Sequence, residues 1–345
     1  MCTLPPSKAT PKYLKFPNTR SAQLLLHTFF LSKGISVDSW KQKLIDIFKF
    51  RSKSTAVEVF FKDDGEINVC AKKKDAFGAQ ISVYNSFKAS IPTIKFFFLL
   101  FEKLCLHNFK DNILKIDFQE DCINSGMFGS RESARKSFST NYIIDGFTSR
   151  GKIKFEKNDV SNLLDGGESL AKLFLVAHGT KDGVEIELNS QFNFLFFTGY
   201  NTLIPCYWKA LHCARSLPLL HLICSTAKER IAHIFPKSSS VTFEIPYDVL
   251  EAALYLPDKG TKNISSDIKK PFFDAIQEIN LAQREFFGND DLVLTAYYDG
   301  KVIDIPKGSI TKNQSFENFR KKTTLGVSIN GEFFGALRPK LEKAN

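Results

Sequence analysis

The chain has 345 residues, 43% of them hydrophobic, which is enough apolar material for a large core and predicts two domains rather than one. It carries a formal net charge of +10 and a pI near 9.1. This basic balance favours polyanions as partners, chiefly nucleic acid or an anionic membrane surface. The alternative interpretation is a lysine-rich surface that serves only solubility.

Seven cysteines, an odd number, are scattered through mostly apolar segments, which predicts free thiols in a reducing cytoplasm. The first 20 residues lack the hydrophobic segment of a secretory signal. The most apolar run, IPTIKFFFLLFEKLCL, is interrupted by Lys95, Glu102 and Lys103 and is too short to span a bilayer. We therefore expect a soluble, cytoplasmic protein without a membrane partner.

The N-terminal part of the chain predicts an arm followed by a helix and a hairpin. Residues 1–20 contain four prolines and several basic residues, as expected of a flexible basic arm. The segment SAQLLLHTFFLSKG predicts a helix. In TAVEVFFKDDGEINVCAKK, two β-rich runs flank Asp64 and Gly65, which is a hairpin signal.

Residues 92 to 188 predict the element order of a winged helix-turn-helix domain. A helix near 92–107 precedes the strand ILKIDF, a small helix at QEDCINSG and a turn that contains Gly126 and Gly129. Ser130 suits the N-cap of the next helix, RESARKSFSTNYIIDGF. Two strand candidates follow, GKIKFEK and GVEIELN, with ESLAKLFLVAHGTKDG between them, and they predict a β-ribbon wing.

The helix that begins after Ser130 is the candidate recognition helix of this first copy. Spacing by four places Ala134, Phe138 and Tyr142 on its core face. The segment 130–157 contains seven basic and three acidic residues, an excess that suits contact with phosphates and base edges. The predicted DNA-binding residues of this copy are Arg131, Arg135, Lys136, Ser139, Arg150, Lys152 and Lys154, the last two on the expected wing.

A second copy of the same order follows. CYWKALHCARSLPLLHLICSTAKERIAHIF predicts a helix divided near Pro218, and SVTFEI predicts a strand. A helix in PYDVLEAALYL ends before Pro257, and a polar loop leads to the helix IKKPFFDAIQEINLAQREFF. The ribbon DLVLTAYYDGKVIDI completes the copy. Two tandem copies support the assignment better than one, because three helices and a hairpin are common by themselves.

The second candidate recognition helix carries less positive charge than the first. Phe272, Ala275, Ile276 and Ile279 follow the spacing of a core face, and Pro271 suits the first turn. Residues 267–285 include three basic and four acidic residues, so further attraction is expected from the ribbon and the C-terminal region. The predicted DNA-binding residues here are Lys269, Lys270, Arg284 and Lys301.

The sequence resembles the replication initiator proteins of iteron-type plasmids. PFFDAIQEIN looks like the second recognition helix of these initiators, with its Ala...Glu-Ile-Asn ending, and LKIDFQEDCINSGMFGSRESARKSFSTNYIIDG is similar to part of their first domain. GTKDGVEIELNSQF looks like their wing strand before the linker. The resemblance covers about residues 90–305. It implies two winged-helix domains that bind repeated origin sites in double-stranded DNA. It also implies host replication proteins, and a second copy of the chain in a homodimer, as candidate partners.

Two patterns offer alternative chemistry. Zinc could be held by four of five side chains, but their spacings match no common zinc module, so buried thiols and satisfied imidazoles are favoured; the five are Cys206, His212, Cys213, His221 and Cys224. His178 beside Gly179, with Cys206 downstream, fits a caspase-like peptidase, although the run Gly-Thr-Lys-Asp-Gly equally predicts a β-turn. There is no P-loop. We expect no enzyme activity, no metal and no cofactor.

These observations predict an α+β protein with two tandem winged helix-turn-helix domains and β-hairpin wings. The predicted bounds are an arm at 1–20, a first domain at 21–203 that includes the preceding hairpin, and a second domain at 204–345. The predicted function is sequence-specific binding of double-stranded DNA, as a plasmid or mobile-element replication initiator. A transcriptional repressor, a partition-type adaptor and a protein-interaction module remain alternatives.

Overall fold

The computed structural model describes part of the chain, and this part divides into two compact units. The first unit comprises Met1–Lys49 and Lys53–Asn201, and the second comprises Phe50–Ser52 and Thr202–Asn345. The residues that the structure describes are 12–17, 42–43, 46–47, 50, 57–61, 66–71, 81–84, 91–106, 113–139, 152–155, 169–172, 174–188, 201–213, 215–231, 238–254, 256, 265–303 and 315–338.

The first unit mixes helices and strands. Its described elements, in chain order, are β1 (Tyr13–Pro17), β2 (Val57–Phe61), β3 (Glu66–Ala71), β4 (Ile81–Tyr84), α1 (Ile91–Leu106), β5 (Ile113–Asp117), a π-helical segment (Phe118–Ile123), α2 (Arg131–Ser139), β6 (Lys152–Phe155), β7 (Ser169–Lys172), β8 (Phe174–Gly179) and β9 (Gly183–Leu188). The helix expected over SAQLLLHTFFLSKG lies outside the described residues.

A three-stranded antiparallel sheet supports helix α2, with the strand order β5-β9-β8. Leu114 and Ile116 are buried while their neighbours in β5 are exposed, so the alternation of the sequence places one face of the sheet in the core. A tight turn joins β8 to β9, in which the Thr180 amide donates to the Gly183 carbonyl at 2.8 Å. This turn was expected from the run Gly-Thr-Lys-Asp-Gly.

The other sheet of this unit has five strands in the order β2-β3-β4-β6-β7. Strands β2 and β3 pair in antiparallel fashion across the predicted Asp64-Gly65 turn, which confirms the hairpin. The predicted pairing of GKIKFEK with GVEIELN is wrong, because β6 pairs with β4 and β7 and belongs to this sheet. The actual partner of β9 in its hairpin is β8, from the segment that separates the two predicted strands.

The predicted flexible arm contains an ordered strand. Leu14 and Phe16 of β1 are buried, and the Phe16 ring lies 4.6 Å from the ring of Phe98 and 4.9 Å from that of Phe101, centroid to centroid. The alternation of apolar and polar residues in Tyr13–Pro17 outweighs the effect of the prolines and lysines around it, because two large side chains reach the core.

The second unit also combines helices with an antiparallel sheet. Its described elements are β10 (Asn201–Pro205, whose first residue belongs to the first unit), a 3₁₀-helix (Cys206–Ala210), α3 (Ser216–Ile231), β11 (Val241–Pro246), α4 (Tyr247–Ala253), a π-helical segment (Ser265–Lys269), α5 (Lys270–Phe287), β12 (Leu292–Tyr298), β13 (Lys301–Val302), α6 (Phe316–Lys322), β14 (Thr323–Ile329) and α7 (Gly331–Leu337). The break expected near Pro218 lies just before it, between the 3₁₀-helix and α3.

The sheet of the second unit has the strand order β11-β14-β12-β13. Strand β13 pairs with β12 over only two residues, whereas β14 pairs with β12 over seven. The predicted ribbon DLVLTAYYDGKVIDI therefore supplies one long strand, and the main partner of that strand comes from residues further along the chain. The buried residues of β11 and β14 alternate with more exposed ones, as a half-buried sheet requires.

The same topology occurs in both units. In each unit a long helix, α1 or α3, is followed by a strand, by helical segments that end with α2 or α5, and by two further strands of the same sheet. The first unit adds β6 and β7 to this order, and the second adds β13 and α6. Among the three shared strands, the first pairs with the last, and the last pairs with the middle one. Along the chain, the boundary between the two units falls between Asn201 and Thr202. The sequence analysis predicts the domain boundary between residues 203 and 204. Among the described residues, no helix combines the length and apolar character needed to cross a membrane.

A substitution at Gly183 tests how closely the backbones of β5 and β9 approach each other. A Cβ atom at this position would lie 2.2 Å from the Ile116 carbonyl oxygen, which is backbone and cannot move away alone. We expect Gly183→Ala to lower the free energy of unfolding by about 1–3 kcal/mol, measured by urea denaturation.

Gly179→Ala is the matched control in the same hairpin, because a Cβ atom there meets nothing within 4 Å. Equal stability of the two variants would contradict the close approach of β5 and β9.

Candidate nucleic-acid interface

Helix α2 begins where the sequence predicts. The Ser130 hydroxyl accepts a hydrogen bond from the Ser133 amide at 3.1 Å, so Ser130 caps the N-terminus as expected. The preceding turn passes through Gly126, whose φ of +76° is a left-handed conformation that suits glycine. The cap and the turn together determine where the first residues of α2 leave the loop.

Phe138 anchors the inner face of α2. Its ring stacks on Phe118 at a centroid distance of 5.3 Å and meets the edge of Phe96 at 4.9 Å. Ala134, one turn earlier, is also fully buried. The predicted core face is therefore confirmed at these two positions, while Tyr142 lies outside the described residues. Packing on α1 and on the π-helical segment holds α2 rigidly against its own unit.

The outer face of α2 is polar and exposed. We define the solvent face of α2 as four residues: Arg131, Glu132, Arg135 and Lys136. Three of them are cations, and the structure brings them together as predicted. Their contacts differ, however, and this difference separates their roles.

Arg131 forms contacts with two other parts of its own unit. Its Nε atom donates to Gln119 Oε1 at 2.7 Å, and its Nη1 atom lies 3.5 Å from Asp182 Oδ1 in the β8–β9 turn. The Asp182 carbonyl in turn accepts from the Phe118 amide at 2.8 Å. Arg131 therefore connects the start of α2 to the π-helical segment and to the hairpin, and part of its hydrogen-bonding capacity is used inside the protein.

Arg135 and Lys136 both reach the carboxylate of Glu132. The Nε and Nη2 atoms of Arg135 each lie 3.0 Å from a Glu132 oxygen, and Lys136 Nζ lies 3.8 Å from Oε1. The hydrogen bond from Arg135 lowers the pKa of Glu132 and raises that of Arg135, so both groups stay charged in the physiological range. The solvent face thus has a fixed internal geometry.

The structure describes the other candidates of the first copy only in part. Ser139 ends α2, and Lys152 and Lys154 lie in β6, but the side chains of all three are outside the described structure. The position of β6 in the five-stranded sheet corrects the prediction that the two lysines lie on the wing strand paired with β9. Arg150 lies outside the described residues.

Helix α5 has the predicted core face. Phe272, Ala275, Ile276 and Ile279 are fully buried, and a proline occupies its first turn as expected. The helix ends at Gly288, whose φ of +66° allows its amide to donate to the Arg284 carbonyl.

The two polar residues of the Glu-Ile-Asn sequence in α5 form hydrogen bonds with backbone groups of their own unit. Glu278 accepts from the backbone amides of His212 at 2.6 Å and Cys213 at 3.0 Å, and from the Ser216 hydroxyl. It therefore fixes the segment before α3, and the first residue of that helix, from a neighbouring helix. One of the acidic charges counted in the sequence is thus used inside the unit.

Asn280 forms the second of these connections. Its amide nitrogen donates to the Leu294 carbonyl at 2.8 Å, and its amide oxygen accepts from the Leu294 N–H at 2.9 Å. Because the side chain satisfies both polar groups of one β12 residue, it fixes the position of α5 along the strand. The motif that carries the sequence resemblance is therefore structural at Glu278 and Asn280.

The candidate cations of the second unit occupy different environments. Lys269 is only 9% exposed, with its ammonium 5.2 Å from the Phe319 ring centroid, and burial lowers its pKa. Lys270 is exposed at the start of α5. Arg284 is exposed but paired with Asp290 at 2.6 Å. Lys301 is exposed just after the β12–β13 turn.

The outward row of α5 has no net charge. We define the solvent stripe of α5 by six residues on one side of the helix: Lys270, Asp274, Gln277, Leu281, Arg284 and Glu285. Two are basic and two are acidic, and Leu281 at its centre is 51% exposed. The sequence analysis missed Leu281, although its spacing of four from Gln277 was available as a signal.

Positive charge in the second unit gathers beside the β12–β13 turn. Asp299 and Gly300 have φ values of 52° and 73°, as in a two-residue type I′ hairpin. Lys322 Nζ lies 2.9 Å from Asp299 Oδ2, and this hydrogen bond raises the pKa of Lys322. Lys321 is exposed next to it at the end of α6, as the position of these basic residues in the sequence suggested.

The alternative zinc and peptidase residues occupy mainly structural positions. Cys206, Cys224 and His221 are buried, and burial raises the pKa of the Cys224 thiol. Within the described ranges, no group of three or more His, Cys, Asp or Glu side chains could hold a metal ion. His178 is exposed in β8.

Glu278 provides a test of the internal role of acidic residues in α5. We expect Glu278→Ala to lower the free energy of unfolding by about 1–3 kcal/mol, because two backbone amides and a hydroxyl lose their acceptor. Asp274→Ala removes an exposed acidic residue from the same helix and serves as control. Thermal denaturation of both variants provides the measurement, and a Glu278 variant as stable as the control would contradict the role of Glu278 in fixing the segment before α3.

Comparison with known proteins identifies structural neighbours alone. No protein-family model matches the chain, and no curated protein matches it in sequence. The crystal structure of Pi initiator protein in complex with iteron DNA is similar, with a TM-score of 0.44, 13% identity, and coverage of 70% of this chain and 92% of that chain.

A second neighbour is the crystal structure of domains 2 and 3 of RctB, with a TM-score of 0.35 and 12% identity. That match covers 80% of this chain and 91% of that one.

Proposed function

We propose that the protein binds double-stranded DNA at specific sequences through two winged-helix domains in tandem, and that it initiates replication of a plasmid or mobile element. The observation that carries the proposal is the repeated topology. Each unit contains one long helix, a strand, helical segments that end with α2 or α5, and two further strands of the same sheet, with the first of these strands pairing with the last. This is the element order of a winged helix-turn-helix domain.

In this assignment α2 and α5 are the recognition helices. Each buries one face on its own unit and leaves a row of polar side chains exposed, which is what entry into the major groove requires. The hairpin β8–β9 and the strands β12 and β14 with their insertion are the wings. The wing of the second unit contains the turn at Asp299 and the cations beside it.

The two recognition helices suit different contacts. The solvent face of α2 carries three cations and one carboxylate, so it is attracted to phosphates and offers guanidinium groups to base edges. The solvent stripe of α5 is neutral and offers the Gln277 amide and the Leu281 side chain. A glutamine amide pairs with adenine, and an apolar side chain contacts the thymine methyl group. Attraction to phosphates in the second unit comes from Lys270, Lys301 and Lys321.

The replication role follows from the sequence resemblance. The partners are repeated origin sites in double-stranded DNA and host replication proteins, and a homodimer would match a repeated site. The chemistry is recognition and deformation of DNA rather than bond-making, so the proposal includes no catalytic residue and no cofactor. The protein would act in the cytoplasm.

Selection of bound duplexes from a random DNA pool tests this function. We expect a directional motif at about 150 mM salt, where exposed charges are largely screened. An origin with repeats of that motif should then replicate only when the protein is supplied in trans. A repressor would recover a motif without supporting replication. Recovery of no motif would contradict sequence-specific binding and favour the protein-interaction module.

Lys136 provides a test of the phosphate contacts of α2. We expect Lys136→Gln to weaken binding to selected and unrelated duplexes by a similar factor, and to reduce the slope of log affinity against log salt by about 1. Lys115→Gln is the control, since Lys115 is an exposed lysine paired with Glu185 on the sheet of the same unit. Identical salt slopes for wild type and the Lys136 variant would remove Lys136 from the interface.

A further inference from the structure

The solvent face of α2 contains a carboxylate that a surface built only for phosphates would not need. Glu132 lies in the first turn and reduces the positive charge contributed by Arg131, Arg135 and Lys136. A negative charge at a DNA-facing position repels the backbone and lowers affinity for every sequence. The contacts of Glu132 indicate a role for this carboxylate despite the repulsion.

Glu132 holds the guanidinium of Arg135 along one edge. Both distances, from Nε and from Nη2, are 3.0 Å, which is the parallel two-bond arrangement of an arginine–carboxylate pair. The guanidinium is planar and has five N–H groups in a fixed fork. With the Nε–Nη2 edge occupied, the Nη1–Nη2 edge still has two parallel N–H groups. Among the described residues, no acceptor is found for Nη1.

Two parallel N–H groups match O6 and N7 of guanine in the major groove. Arg131 is less suited to this task, because Gln119 and Asp182 already engage it within the unit. Arg135 is therefore the arginine of the solvent face whose outer edge is available. Helix α2 is held near both of its ends, by the Ser130 cap at the N-terminus and by the packing of Phe138 close to the C-terminus.

Resting on the proposed DNA-binding function, we propose that Glu132 is a positioning residue for base reading. It orients the Arg135 guanidinium so that the outer edge pairs with a guanine, and it reduces binding to duplexes that lack that guanine. Preorganisation limits the side-chain entropy that Arg135 loses on binding. Repulsion between the carboxylate and phosphates lowers affinity for all duplexes, and the oriented Arg135 compensates for this loss only where the guanine is present, so the affinity ratio between the duplexes increases.

Glu132→Gln tests this proposal in the full chain, with the selected duplex, a series in which each G·C pair is replaced singly by A·T, and an unrelated duplex. For the wild type, we expect one G·C pair whose replacement weakens binding by about 5- to 150-fold. In the Glu132 variant, this ratio should fall to about twofold or less, while binding to the unrelated duplex stays equal or becomes tighter. Circular dichroism and thermal denaturation check that the variant folds.

Three further variants separate positioning from charge. Glu185→Gln also removes one carboxylate that pairs with a lysine, but on the sheet, so it should keep the wild-type ratio. Arg135→Ala should lose the ratio at the same base pair, and adding Glu132→Gln to it should change the ratio no further. Arg135→Lys, which lacks the planar fork, should not restore the ratio.

The outcomes distinguish this inference from the function on which it rests. A wild type that prefers no duplex would overturn both proposals. A wild type with a preferred duplex whose discrimination survives in the Glu132 variant would overturn only the positioning role, and Glu132 would then be an ordinary helix-surface residue. Loss of discrimination in Glu185→Gln as well would show that net charge causes the effect, which also overturns positioning.

Discussion

The packing of Phe138 is the constraint on which the first candidate interface depends. Its ring is held between Phe118 and Phe96, so the polar face of α2 has one orientation relative to the sheet. Phe272 serves α5 in a similar way, with its ring 6.1 Å from that of Tyr247 in α4. A helix that reads base edges must be rigid on this scale, because a misplaced guanidinium loses its paired hydrogen bonds.

Polar contacts within each unit decide which charges remain for a partner. Glu278 binds the backbone before α3, and Arg131 links α2 to the β8–β9 turn. A count of charges along the sequence treats Glu278 and Arg131 like any exposed charged residue, because it does not show that they have partners within their own unit. Once these contacts are considered, α2 keeps a basic solvent face and α5 a neutral stripe. The contacts proposed for the two helices follow from that difference: guanidinium groups with phosphates and guanine for α2, and an amide and an apolar side chain with bases for α5.

The Glu-Ile-Asn sequence shows how a resemblance can depend on structural residues. Glu278 binds the backbone that precedes α3, Ile279 is buried in the core, and Asn280 pairs with the backbone of β12. All three positions maintain the relation of α5 to its unit. Similarity at such positions concerns the packing of α5. Under the proposed function, the DNA sequence that is bound would depend instead on the exposed residues that flank them, Gln277 and Leu281.

The sequence by itself determined the features that depend on neighbours within a few residues. Ser130 caps α2, Pro271 starts α5, and the apolar spacing places Phe138 and Phe272 in the core. Only the tertiary structure decided the strand partners, since β9 pairs with β8 rather than β6, and β12 pairs mainly with β14. Strand pairing depends on contacts distant in sequence, and several alternating segments satisfy it equally well locally. The same reason applies to charge: whether Arg135, Glu132 or Glu278 faces solvent or a partner within its own unit depends on which groups the fold brings beside it.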